Sequence, residues 1–215
     1  MNRRDFTAAM AAALALSALP LWAQTAPDTS SATETATATL PDVPDMTLGN
    51  PDAKVVLTEY ASYTCPHCAH FHDEVFVNLK RDYIDTGKIK FVFREVFFDR
   101  YGLWAAMLAR CGGDMRYFGI QDILFSTQRD WAASDDPATV IDNLRRIGRT
   151  AGMDDAEMDK CLNDGAMAQA MVNKYQADTK ADNIDSTPSL ILDGKKYSNM
   201  NYADLKALLD AELAK

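Results

Sequence analysis

Val55-Val56-Leu57-Thr58-Glu59-Tyr60-Ala61-Ser62-Tyr63-Thr64-Cys65-Pro66-His67-Cys68 runs from an apolar segment straight into a pair of thiols. Its first half, residues 55–61, is short, apolar and β-branched. Gly49-Asn50-Pro51 stands before it and Pro66 after it, which predicts a buried strand. Beyond the thiols, Phe71, Val75, Leu79 and Tyr83 recur every four residues, a helix face that Gly87 stops. Residues 89–98 are rich in Phe and Val and predict a second strand. Strand, helix, strand in this order predicts a crossover unit with parallel strands.

The pattern between about residues 101 and 184 is helical throughout. Trp104, Met107, Leu108 and Cys111 share one stripe, and Gly112-Gly113 ends that helix. Residues 117–125 are a second candidate. Asp136 before Pro137 predicts an N-cap with proline at N1, with Val140, Ile141, Leu144 and Ile147 as the buried face. Asp154 with Glu157 three residues later is a capping-box-like start leading to Met158, Cys161 and Leu162. Residues 166–178 can form one more helix. Then residues 189–192 predict a strand, Asp193-Gly194 a type I′ turn and residues 195–197 its partner. Asn201 can cap a last helix carrying Leu205, Leu208, Leu209 and Leu213. Two sheet halves flank a helical block, so we expect one α/β domain with a helical insertion at about 101–184.

Upstream, Arg3 and Arg4 precede an apolar, Ala-rich stretch over residues 7–23. A basic start, an apolar middle and a small-residue end predict an export signal over residues 1–23, with cleavage after Ala23. The apolar stretch is short for a membrane span and is broken by Pro20. Arg3-Arg4-Asp5-Phe6 also resembles the twin-arginine export motif. Residues 24–45, rich in Thr, Ala, Ser and Pro, read as a disordered linker, so the folded part is expected over 46–215. In the chain as a whole, 47% hydrophobic and 25% charged residues exclude disorder throughout. A net charge of −9 argues against nucleic acid as a partner, because phosphate contacts need clustered cations.

The four cysteines matter by position. Cys65 and Cys68 fall within one turn at the start of the predicted helix and can close a four-residue disulfide. Cys65, at the helix N-terminus, meets free backbone N–H groups and the positive end of the helix dipole, both of which favour thiolate. A more acidic thiol leaves more readily, so the disulfide is more easily reduced. His67 can add positive charge beside the sulfur, and Pro66 at N1 fixes the first turn. The competing readings are a structural disulfide or part of a zinc site. His67, His70 and His72 all lie nearby, but only Cys65, Cys68 and His72 share a helix face, giving three ligands where zinc wants four. A CxxC opening a helix in an αβ unit reads as redox, and no metal site is expected.

Cys65-Pro66-His67-Cys68 resembles the active site of the DsbA family, periplasmic thiol oxidases of thioredoxin fold. Gly49-Asn50-Pro51-Asp52-Ala53, Glu59-Tyr60-Ala61-Ser62, Phe71-His72, Phe93-Arg94-Glu95, the helix ending at Cys111 and Ser186-Thr187-Pro188 are similar to the DsbA-like branch typical of alpha-proteobacteria. The resemblance implies an α/β thioredoxin fold with an inserted all-helical subdomain. It implies a thiol-disulfide oxidoreductase that donates the Cys65–Cys68 disulfide to exported proteins bearing thiols, without a cofactor. It also implies a membrane quinone-linked reoxidant of the DsbB type. A reductase or isomerase, or a non-enzymatic metal carrier, are the alternatives.

The family has a buried acid at the position of Glu59, which exchanges a proton with the second cysteine. Cys68 must lose a proton when it attacks a mixed disulfide, and a desolvated carboxylate near neutrality can take it. His72 and Lys90 can complete a charge network with Glu59. The resemblance places a cis-proline loop at Thr187-Pro188, beside the CxxC, where the backbone of Thr187 can pair with an extended substrate. Cys111 and Cys161 each lie on an apolar helix stripe. Two buried thiols or one structural disulfide are both open, and an exported chain favours the disulfide.

Overall fold

The computed structural model describes residues 39–215. The expected export signal, and the linker up to residue 38, lie outside the described residues. Five strands form one sheet: β1 (Met46–Gly49), β2 (Val56–Ala61), β3 (Lys90–Glu95), β4 (Ser189–Leu192) and β5 (Lys195–Ser198), in the order β1-β3-β2-β4-β5. β2 and β3 are parallel, with Glu59 opposite Phe93, and all other pairs are antiparallel. The expected second strand is shorter than residues 89–98. β1 was not anticipated: it has four residues, and only Met46 of them is buried. Gly49 ends it at a φ of +85°, where a Cβ would meet the Ile89 carbonyl at 2.4 Å.

The crossover helix, α1, runs over residues 66–84 and is not uniformly α-helical. Pro66–Phe71 is α-helical, His72–Phe76 is a π-turn, Val77–Leu79 is α-helical and Lys80–Ile84 is a second π-turn. The sequence spacing explains this. Contacts every four residues drift by about 40° per step at about 100° per residue, so Phe71 and Tyr83 would diverge in a regular helix. Each π-turn inserts extra residues into the winding and cancels part of that drift. Phe71, Val75, Leu79 and Tyr83 are all buried.

Six helices follow: α2 (Arg100–Cys111), α3 (Gly113–Ser126), α4 (Gln128–Trp131), α5 (Pro137–Thr150), α6 (Asp155–Leu162) and α7 (Gly165–Ala181). α8 (Tyr202–Leu213) closes the chain. Side-chain caps set most of the starts. Asp99 accepts from the Gly102 N–H, Asp136 from Ala138 and Thr139, Asp154 from Glu157, Asp164 from Met167 and Asn201 from Asp204. Positive φ at both Asp193 and Gly194 makes the β4–β5 turn type I′. Among the described residues, no helix is long and apolar enough to cross a membrane.

Leu57, Glu59, Phe91, Phe93, Leu190 and Leu192 share one sheet face by register and are all buried. Their cover comes from α1 and α3, through Phe76 against Phe91 and through Phe125 against Phe93. On the opposite face, Tyr60 donates to Asp182 at the end of α7, and Arg94 reaches Tyr60, Asp182 and Asp45. Asp45 also pairs with Lys174, and Val43 is buried. The expected linker therefore ends before residue 45: its last residues are anchored to the sheet and α7 by this charge cluster. Cys111 of α2 and Cys161 of α6 are bonded, closing a separation of 50 residues, and both are half-buried rather than sealed in the core.

Candidate active site

β2 delivers the chain to Cys65, which is the N-cap of α1 in extended conformation, with Pro66 at N1. The loop between them is held from two sides. Gln128 of α4, buried, donates its amide to the carbonyls of Tyr63 at 2.8 Å and of Cys65 at 3.0 Å. Thr64 donates its hydroxyl to Asp99, the cap of α2, at 2.7 Å. Between these anchors Tyr63 points inward. Its hydroxyl donates to that of Tyr117, which donates to Glu95 at 2.8 Å, and Arg110 holds both Glu95 oxygens at 2.7 Å. The helical insertion thus fixes the backbone that presents Cys65.

The two thiols are free, and their surroundings differ sharply. Cys65 retains 8% of its surface, a smaller exposure than its place at the helix end suggests, and Cys68 retains none. Hydrogen bonding from the Cys68 thiol, above all, pulls the Cys65 thiol down to about 5, against the cost of burial. Thr187 and the backbone N–H groups of Cys68 and His67 add to the effect. Burial pushes the Cys68 thiol far up, and the negative charge on Cys65 and Glu59 adds to this. One sulfur is therefore held as thiolate and its neighbour as thiol.

β4 begins next to β2, and this brings residue 187 to residue 65. The Thr187 carbonyl lies 3.6 Å from Cys65 Sγ, and the Thr187–Pro188 bond is cis. The Thr187 hydroxyl is buried without a partner among the described residues. As a donor available to a thiolate, it helps to lower the Cys65 thiol. His67 is exposed, its ring makes no hydrogen bond or ion pair among the described residues, and its backbone N–H is among the groups that lower the Cys65 thiol.

Glu59 is wholly buried under α1, in register with Phe93 and Leu190. His72 Nε2 lies 3.3 Å from its Oε2, within ion-pair distance but without the geometry of a hydrogen bond. Lys90 does not join them. It pairs in register with Val56, three positions from Phe93, and strand alternation turns its side chain to the opposite face. His72 stacks on Phe125, ring centres 4.0 Å apart, and is turned to Glu59. Among the described residues, no group of three or more His, Cys, Asp or Glu side chains is arranged to hold a metal.

A parallel crossover inside an antiparallel frame, with two cysteines opening the crossover helix against a cis-proline loop, defines a thioredoxin-fold protein with a CxxC site. The chain belongs to the thioredoxin family, whose model matches residues 42–211, and within it the chain is DsbA-like. It is 37% identical over 170 residues to a Rickettsia bellii protein provisionally named a protein-disulfide oxidoreductase, matching 79% of this chain and 64% of that one. The chain thus spans a little under two-thirds of that relative. It superposes on the crystal structure of Wolbachia pipientis alpha-DsbA1 with a TM-score of 0.74 at 29% identity, covering 81% of this chain and 94% of that one. A protein-disulfide isomerase from Novosphingobium aromaticivorans gives 0.69 at 27% identity, over 80% and 98%.

Gln128, Tyr63 and Thr64 were not anticipated as site residues. Gln128 lies 63 residues from its partner Cys65 and carries no local signal, since only the packing of α4 makes it an anchor. Asp99 had a signal: an acidic residue ahead of an apolar-periodic run is an N-cap pattern.

Proposed function

We propose that the protein is a thiol-disulfide oxidoreductase that oxidises exported polypeptides through the Cys65–Cys68 pair. A substrate thiolate attacks Cys65 Sγ, the Cys65–Cys68 bond breaks, and Cys68 leaves as a thiolate that takes up a proton. The substrate's second thiolate then attacks its own sulfur in the mixed disulfide. A substrate disulfide forms, and Cys65 departs as thiolate. The observation that carries this reading is the split between the sulfurs, with Cys65 drawn down to about 5 and Cys68 pushed up. A stabilised leaving thiolate favours the reduced protein and hence donation of the disulfide.

Glu59 exchanges the proton of Cys68, and Thr187 and Pro188 bind substrate, the backbone at Thr187 adding to an extended segment beside the sulfur. Residues 1–23 serve as an export signal, with a polar spacer after them, and the compartment is the periplasm. A membrane quinone-linked partner of the DsbB type restores the disulfide. The names carried by the Rickettsia, Wolbachia and Novosphingobium proteins favour the same chemistry.

The reduction potential of the pair against glutathione tests the direction of electron flow. A value more oxidising than the cytosolic glutathione poise of about −220 to −260 mV is expected, with all exchange lost in Cys65→Ser. A value near the thioredoxin figure of about −270 mV would make the protein a reductant instead.

A further inference from the structure

The chemistry at Cys68 needs a proton to cross the interior. Cys68 and Glu59 have no exposed surface. The Cys65 side is covered by substrate during the step that matters, because the mixed disulfide sits there. His72 is 4% exposed and touches Glu59 on one side. On its other side it lines a cavity of about 400 Å³ between α1 and α3, walled by Phe76, Phe125 and Asp122. Apart from that ion-pair contact, both oxygens of Glu59 and both ring nitrogens of His72 make no hydrogen bond among the described residues. The buried amide of Gln121, also on α3, is likewise unpartnered. Buried polar groups are normally paired, so unpaired ones beside a cavity call for an explanation, a catalytic role among them.

We propose that His72 relays the Cys68 proton between Glu59 and the solvent of this cavity. The inference rests on the thiol-exchange reading above. When Cys68 attacks the mixed disulfide, its sulfur bonds to Cys65 Sγ and the substrate leaves as thiolate. The thiol proton passes to Glu59, from Glu59 to the His72 ring, and from the ring to water in the cavity. When Cys68 leaves as thiolate, the same path delivers the proton. The charged groups facing the ring or lining the cavity are Glu59 from β2, Asp122 from α3, Asp73, Lys80 and Arg81 from α1, and Asp85 just after it. Partial burial holds the Asp122 carboxyl above its usual value, which suits it to hold a proton at the rim. Phe125, stacked on the ring, keeps it between the two sides.

Reduced full-length protein mixed with excess oxidised glutathione separates two steps. Cys65 first attacks, and Cys68 then resolves the mixed disulfide. Acid quenching and mass spectrometry follow both. In His72→Ala the first step should keep its rate, while resolution slows on the order of 100-fold and the glutathione adduct of Cys65 accumulates. Exogenous imidazoles should restore resolution in proportion to their basicity, which simple filling of the gap would not produce. If His72→Ala does not fold, His72→Gln, which stays polar but carries no relay proton, should show the same split. Unchanged resolution, or equal loss in both steps, overturns the relay. Failure of the wild-type protein to form the adduct at all would instead overturn the thiol-exchange reading.

Discussion

Cys65 and Cys68 lie one helical turn apart, yet burial and hydrogen bonding drive their thiols in opposite directions. Thr187 bears on this through its unpartnered hydroxyl. A hydrogen bond to a charged group contributes about 1.5–3 kcal/mol, so Thr187→Val should raise the Cys65 thiol by roughly one to two pH units. Thiolate absorbance against pH measures this directly, and an unmoved titration would remove the hydroxyl from the site. The same acidity ties stability to pH. A thiol near 8.5 in the unfolded chain and about 5 in the folded one favours the folded, reduced protein. The gain is full above about 8.5, shrinks as pH falls through the window and is absent below about 5. Reduced wild-type protein should therefore exceed reduced Cys65→Ser in urea midpoint most at alkaline pH and converge with it at acidic pH. The place of Cys65 at a helix start was legible in the sequence, since a helix start is a local pattern.

Among the elements, α4 has only four residues, yet it anchors the active-site loop. Gln128→Ala leaves two buried carbonyls, those of Tyr63 and Cys65, without their donor. We expect a loss of about 1–3 kcal/mol per carbonyl, read as a lower urea midpoint at unchanged slope. A midpoint within error of wild type would mean that water replaces the amide without cost. Most helix starts were legible because Asp136, Asp154 and Asn201 satisfy backbone donors two or three residues away. β1 was not, since its partner β3 lies more than forty residues downstream and a four-residue run has no period to read. The winding of α1 lay between these cases. Its fourfold spacing announced a helix, but that this spacing is too wide for regular α-helix emerged only against the sheet.

For the molecule as a whole, the Cys111–Cys161 bond clamps α2 to α6 within the insertion. Closing 50 residues restricts the unfolded chain by about 4 kcal/mol in the loop-entropy model. The Cys111→Ser, Cys161→Ser double variant should lose up to that amount in denaturant unfolding while still forming the glutathione adduct at Cys65. Unchanged stability would show that the insertion is held by its packing alone. The order of the sheet has a different consequence, one of timing. β4 lies against β2, so Thr187 meets a cysteine made 122 residues earlier. A ribosome releases Cys65, Pro66, His67 and Cys68 long before Gln128, and releases Thr187 near the end. Until then the two thiols lack the loop anchor and the carbonyl neighbour of the finished site. The topology thus completes the surroundings of the two thiols only when synthesis is almost finished.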